Sequence, residues 1–397
     1  MKTLKEIVVN NDVCSIPWTH IEVNGSTKEV FPCCKYKKSI GIIDKSVSEV
    51  WQNKNYDTIR SDLLSGTSHK NCSACDVPSG QFSYKNWKKI HYMKEGIIDN
   101  TKIDPIPNPR VLHLGGFTNL CNLACRMCNP QNSSVLENYY AKTELGKFFP
   151  LDKIKNDLSI DAFDDFIDGL THMTISGGEP FFDKNVFLFL KKFQNLSNLK
   201  RLNFSTNLTK LNFEMLDLIR SIGVYFTLSI SLDGDKLIHE YIRNNCNYDT
   251  VLSNLEIIRT RYPEININFN TTVSAYNVGY VHDTLESFLK ISKNFNVVLD
   301  DLMISPVLNP DFLHPGVLPK EVKDLYRDRL NKIPMTKFVN IPNFTVLIQT
   351  AQKMLNEDQY HLFDKFVEYT NIFDRTVKTD YKLVYPELAP LERFELP

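Results

Sequence analysis

Residues 121–128 read CNLACRMC, and the spacing of their thiols decides what the surrounding chain has to be. Cys121, Cys125 and Cys128 can grip one face of a metal centre and leave a fourth position open. A structural zinc site closes its tetrahedron with a fourth Cys or His, and disulfide pairing would strand one of the three. An iron-sulfur cluster held by three cysteines keeps one iron without a protein ligand, and that iron can bind a small molecule. The motif therefore asks for a scaffold that presents a loop at the edge of a site, and for further groups that hold whatever meets the open iron.

The scaffold is legible around the motif. From residue 106 to 306, short apolar strand candidates alternate with helical stretches. The strands are RVLHLGGF at 110, HMTISGG at 172, LKRLNFSTN at 199, YFTLSISLDG at 225, INFNTTVSA at 267 and VVLDDLMIS at 297. Between them lie KNVFLFLKKFQNL at 184, NFEMLDLIRSIG at 212 and YDTVLSNLEIIRTRYP at 248, with apolar residues at helical spacing. Alternating strands and helices give right-handed crossover units on a parallel sheet. Six units predict an α/β fold, a partial (β/α)6 TIM-like barrel, whose functional groups sit on loops after the carboxy-terminal ends of strands. CNLACRMC directly follows the first strand.

The later strand ends carry polar groups in sequence. SGGEP (176–180) follows the second, FSTN (204–207) the third and SLDG (231–234) the fourth, with Arg243 just beyond in HEYIRNN and Asn277 after the fifth. Gly177 and Gly178 let a backbone approach a ligand closely, and Glu179 before Pro180 fixes a turn. Arg243 offers a planar fork for a carboxylate. Taken singly, SGGEP is a loop, STN a turn and Arg243 a solvated helix residue. Their order along successive strand ends is what joins them.

On these residues the chain resembles the radical S-adenosylmethionine (radical SAM) enzymes, in which three cysteines at this spacing ligate a 4Fe-4S cluster. The resemblance implies that Cys121, Cys125 and Cys128 hold that cluster and carry catalysis. It implies that Gly177, Gly178 and Glu179 meet the methionyl amino group of S-adenosylmethionine and that Ser205, Thr206 and Asn207 lie by the ribose. Ser231 and Asp233 belong to the same ring, and Arg243 pairs with the cofactor carboxylate. Met127 stands where many members place an aromatic residue against the adenine, and a thioether can pack on a ring. The implied reaction is reductive cleavage of S-adenosylmethionine to a 5'-deoxyadenosyl radical that abstracts hydrogen from a substrate. A flavodoxin or ferredoxin is the implied electron donor. The substrate is expected to be a peptide or protein side chain, with dehydrogenation of an aminocyclitol or nucleotide as the alternative. A non-enzymatic iron-sulfur or zinc protein would leave SGGEP, STN and SLDG without a purpose.

The amino-terminal third holds a second cysteine set. Cys14 is paired with Cys33 or Cys34 across a β-hairpin signalled by Asn24-Gly25, and after a helical stretch, SVSEVWQNKNYDTIRSDLLSG, come Cys72 and Cys75. Four thiolates suit a closed zinc site or a fully ligated cluster. The segment resembles the SPASM and twitch auxiliary-cluster modules, which implies a second 4Fe-4S cluster on Cys14, Cys33, Cys72 and Cys75. Such modules usually follow the barrel, whereas this one precedes it. Adjacent strand residues face opposite sides, so one of Cys33 and Cys34 is expected to face the cluster and the other away, and Cys33 is favoured as the ligand.

The expected domains are a small cysteine-rich auxiliary-cluster domain at 1–105, the barrel at 106–315 and a helical cap at 316–397. Lys and Arg number 46 against 47 Asp and Glu, a formal charge of -1, so no global footprint for nucleic acid or an anionic membrane exists. The start, MKTLKEIVVNNDVCSIPW, lacks the apolar core of a secretory signal, and no apolar run is long enough to span a bilayer. A cytoplasmic protein without nucleic-acid or membrane partners is expected. Cys246 reads as a partly buried or surface thiol, and Asp374 and Arg375 as surface charges.

Overall fold

The computed structural model describes residues 3–11, 13–36, 38–67, 69–75, 92–98, 103, 108–194 and 198–388. They fall into two compact units. The first takes Met1–Asn119, Ile154–Asn203 and Phe213–Tyr225, and the second Leu120–Lys153, Phe204–Asn212 and Phe226–Pro397.

The first unit begins with the predicted hairpin. In β1 (His20–Asn24), Ile21 and Val23 are fully buried while Glu22 and Asn24 alternate toward a half-exposed side. β1 pairs antiparallel with β2 (Glu29–Phe31), Val23 opposite Val30, and β3 (Gly41–Ile42) extends that ladder. The glycine of the turn has a different use from the one expected. The left-handed residue is Lys28, with φ 60°, whereas a Cβ on Gly25 would stand 1.9 Å from the Gly116 carbonyl oxygen. Gly25 is there to let two backbones touch.

The other edge of β1 runs parallel to β4 (Val111–Leu114), with Glu22 opposite His113. β4 in turn runs parallel to β6 (His172–Ile175), with His113 opposite Thr174. The amino-terminal hairpin thus prolongs the parallel ladder. The helix Lys184–Lys192 after β6 is capped by the Asp183 side chain and ends on Lys191 and Lys192, as the helix dipole favours. Its Phe189 meets Phe117 and Phe163 at centroid distances of 5.3 and 5.0 Å.

The stretch read as one helix after the hairpin is two, Val47–Trp51 and Lys54–Leu64, because Asn53 leaves the helix and caps the second through the Tyr56 amide. Arg60 fastens that helix. Its Nε donates to the Pro17 carbonyl at 2.9 Å, and its guanidinium lies 4.5 Å from the Trp51 ring centroid. Cys14 and Cys33 pack against a core that includes Leu4, Val8, Trp18, Tyr92 and Val111.

In the second unit β8 (Tyr225–Ser231) runs parallel to β10 (Asn266–Val273), and β10 parallel to β11 (Leu299–Pro306). β7 (Arg201–Thr206) and β8 each begin in the first unit and end in the second. All six predicted strands are present, and the fold is the mixed α/β, parallel-strand architecture of a partial (β/α)6 barrel. β10 shows the logic of its faces. Ile267, Phe269, Thr271 and Val273 are buried, with Phe269 4.8 Å from Phe288 of the following helix. Asn266, Asn268, Asn270 and Thr272 occupy the other, half-exposed face. The carboxy-terminal part is helical, with Lys320–Asn331, Phe344–Asn356, Phe363–Val377 and Tyr381–Val384. Among the described residues no helix is long and apolar enough to cross a membrane.

Candidate cluster and cofactor site

In the second unit, the cysteine loop is held by a very short ribbon. β5 (Ala124–Cys125) pairs antiparallel with β9 (Arg243–Asn244), placing Cys125 opposite Arg243. Arg243 Nη1 lies 3.8 Å from Cys125 Sγ, and Nε donates to Asp233 Oδ2 at 2.6 Å. Asp233 is fully buried, and its Oδ1 accepts the Thr272 amide at 2.8 Å. Burial opposes the Arg243 charge, but Asp233 beside it outweighs that and raises its pKa above the ordinary value. Arg243 is therefore no solvated helix residue. It is locked beside the central cysteine.

Asn207 brackets the first cysteine. Its Nδ2 lies 3.8 Å from Cys121 Sγ and donates to Asn122 Oδ1 at 3.1 Å, while its Oδ1 accepts the Thr209 amide at 2.9 Å. Thr206 accepts the Leu208 amide at 2.9 Å. Ser205, Ser231 and Met127 remain half-exposed. Asn277 is buried and donates to the Asp233 and Thr272 carbonyls at 3.0 and 2.9 Å, which pins the loop after β10 to Asp233.

The loop closes with the Cys128 amide on the Cys125 carbonyl at 3.0 Å. Burial raises the Cys125 thiol, with Arg243 working the other way. Burial, then the neighbouring Cys125, push Cys128 up to about 12. A metal centre displaces the protons of the thiols it binds. Among the described residues, no three His, Cys, Asp or Glu side chains stand close enough to share one metal ion. The donor set still fits a three-thiolate cluster, since the three thiols share one loop and a charged N–H group faces the central sulfur.

In the first unit, Gly177 and Gly178 both take left-handed conformations, φ 71° and 53°, which side chains strain to adopt. Glu179 is buried and accepts the Phe181 amide at 3.3 Å. Just before them, Ser176 Oγ is 2.6 Å from His113 Nε2, and His113 Nδ1 is 3.7 Å from Glu22 Oε2. This Glu-His-Ser array was not anticipated. Its signal was polar residues at alternate positions of two apolar strands, HIEVN and VLHL.

Tyr36 links the Cys33 turn to the segment that carries Cys72. Its amide donates to the Cys33 carbonyl at 3.1 Å, and its hydroxyl meets His69 Nδ1 at 3.2 Å and the Asn71 amide side chain at 3.3 Å. The Cys72 amide donates to the His69 carbonyl at 2.7 Å, at the start of the short turn Lys70–Cys75. Burial, then the adjacent Cys34, push the Cys33 thiol well up, whereas Cys34 is exposed.

Two more residues escaped the sequence reading. Arg126, between two motif cysteines, is fully buried and paired with Asp374, which is 6% exposed. Asp374 is thus not a surface charge. It faces inward from the amphipathic helix Phe363–Val377, while Arg375 remains exposed beside Glu144. Cys246 is partly buried, its Sγ 3.4 Å from His239 Nε2.

The fold defines a class of protein, a parallel-strand α/β architecture in which the loop after β4 carries three cysteines. Comparison with known families makes the class specific. Residues 116–288 match the Radical SAM superfamily, and residues 14–76 match SPASM, an iron-sulfur cluster-binding domain. The chain carries a radical SAM domain preceded by a SPASM segment. These domains imply a 4Fe-4S cluster, S-adenosylmethionine and an auxiliary iron-sulfur cluster as cofactors. No curated protein matches the chain. Among solved structures, Streptococcus suis SuiB bound to the precursor peptide SuiA is 13% identical with a TM-score of 0.40, over 80% of this chain and 66% of that one. The anSMEcpe enzyme with bound AdoMet and the Cp18Cys peptide is 18% identical with a TM-score of 0.37, over 56% of this chain. The match spans 59% of the anSMEcpe chain.

Proposed function

We propose that the protein is a radical SAM enzyme that abstracts hydrogen from a peptide or protein side chain, with residues 106–315 carrying the chemistry. Residues 1–105 serve an auxiliary cluster through Cys14, Cys33, Cys72 and Cys75, and residues 316–397 cap the barrel. The observation that supports this most is Cys125 opposite Arg243, inside the span matched by the Radical SAM superfamily. When bound, the cluster and S-adenosylmethionine supply a 5'-deoxyadenosyl radical. The chain's own part is to hold and orient. Cys121, Cys125 and Cys128 ligate, Asp233 aims Arg243, and the paired glycines at 177 and 178 open backbone for the methionyl amino group. Ser205, Thr206, Asn207, Ser231 and Met127 complete the pocket for ribose and adenine.

The test is anaerobic reconstitution with iron and sulfide, followed by dithionite and S-adenosylmethionine. The wild-type chain is expected to release 5'-deoxyadenosine, measured by chromatography, and Cys125→Ala to release none. A wild-type chain that binds iron without cleaving S-adenosylmethionine contradicts the proposal.

A further inference from the structure

We propose that the carboxy-terminal helix Phe363–Val377 and the turn after it clamp the cysteine loop, with Asp374 a positioning residue that acts through Arg126. The inference rests on Cys121, Cys125 and Cys128 being cluster ligands.

The loop is tied down by side chains beyond it, the Leu123 carbonyl accepting Ser133 Oγ at 2.6 Å and the Cys121 carbonyl accepting Ser134 Oγ at 3.1 Å. Its strand pairing among the described residues is the two-pair ribbon of β5 and β9, and short isolated two-stranded ribbons are marginal in water. A further constraint comes from Arg126, which is held at four separate atoms. Its amide donates to the Ile242 carbonyl at 2.9 Å and its carbonyl accepts the Tyr369 hydroxyl at 2.8 Å. Its Nε donates to the Tyr241 carbonyl at 2.9 Å, and its Nη2 to Thr379 Oγ1 at 2.8 Å and to Asp374. The guanidinium lies between the rings of Tyr241, 3.8 Å away, and Phe373, 4.5 Å away.

Asp374 is itself fixed from several directions. It accepts the Tyr381 amide at 2.8 Å, the Thr379 hydroxyl at 2.7 Å and the Tyr241 hydroxyl at 3.3 Å. The turn that brings Thr379 and Tyr381 round is closed by Lys378 in the left-handed conformation. A rigid network thus runs from the last helices to the residue between Cys125 and Met127. It also sets a buried charge pair next to a cluster ligand. Such charges act on a redox centre through a poorly screening interior.

The experiment is a double-substitution cycle on the reconstituted full chain, read by the midpoint potential of the cluster whose EPR signal changes on adding S-adenosylmethionine. Asp374→Asn leaves Arg126 without its counter-charge and is expected to raise the midpoint. Arg126→Gln leaves Asp374 alone and is expected to lower it. Each shift should reach about a tenfold change in the reduced-to-oxidised ratio at fixed potential, near 59 mV for one electron. The double variant should return close to wild type. A merely structural pair would lose iron while the remaining cluster titrates as in wild type, and that result overturns the clamp. If Asp374→Asn cannot hold iron, Thr379→Val, which keeps both charges and removes the bridging hydroxyl, should alter the S-adenosylmethionine-dependent signal. An unchanged signal there also overturns it. A wild-type chain with no cluster responsive to S-adenosylmethionine overturns the functional reading, and the clamp with it.

Discussion

Arg243 and Asp233 form a pair whose members lie ten residues apart on either side of one short helix, Lys236–Ile242. Because Asp233 is fully buried, removing the arginine strands a carboxylate away from water. Breaking one partner of such a pair costs about 3–5 kcal/mol. Arg243→Gln is expected to lose stability of that order in denaturant unfolding of the metal-free protein, besides any loss of S-adenosylmethionine binding. A loss under 1 kcal/mol, the range of exposed pairs, would show that Asp233 finds another partner. The sequence singled out both residues from their strand-end positions, yet gave them separate ligand contacts. That they hold each other depends on the turn of the helix between them, which no spacing rule at the strand ends encodes.

At the scale of elements, the alternation of apolar and polar residues located all six barrel strands and the helices around them. It failed where a fold-wide contact chose the residue. Asn53 was hidden inside a helical pattern because a capping side chain looks like any polar residue until the break is seen. Asp374 follows a helical periodicity that marks which face is buried, but only the distant Arg126 explains a charge on that face. Gly25 gave the hairpin for a reason other than its real one. Gly25→Ala would drive a methyl into the Gly116 carbonyl, and overpacking of this kind costs about 1–3 kcal/mol. Denaturant unfolding should show that loss, whereas Gly66→Ala, with nothing within 4 Å of the added carbon, should lose less despite its left-handed φ.

For the molecule as a whole, the two cysteine sets belong to different compact units, and their functions are expected to separate. The Cys72→Ala, Cys75→Ala double variant should contain about four irons instead of about eight, by iron and sulfide analysis. It should still release 5'-deoxyadenosine in the absence of substrate while failing to modify one. Circular dichroism guards against loss of the unit, since removing a structural metal can unfold a module. A folded variant with its first cluster intact but unable to cleave S-adenosylmethionine would mean that the amino-terminal set feeds electrons to the barrel.

The parallel pairing of β1 with β4 bears on how the chain is born. During synthesis, His20–Asn24 gains β2 within a few residues, yet its other edge stays uncovered until Val111–Leu114 has been made. By then Cys14, Cys33, Cys72 and Cys75 have all been synthesised. An uncovered strand edge invites the wrong partner, so this edge of β1 is open to mispairing until β4 has been made. The sheet beside β1 is therefore completed only after all four of those thiols are in the chain.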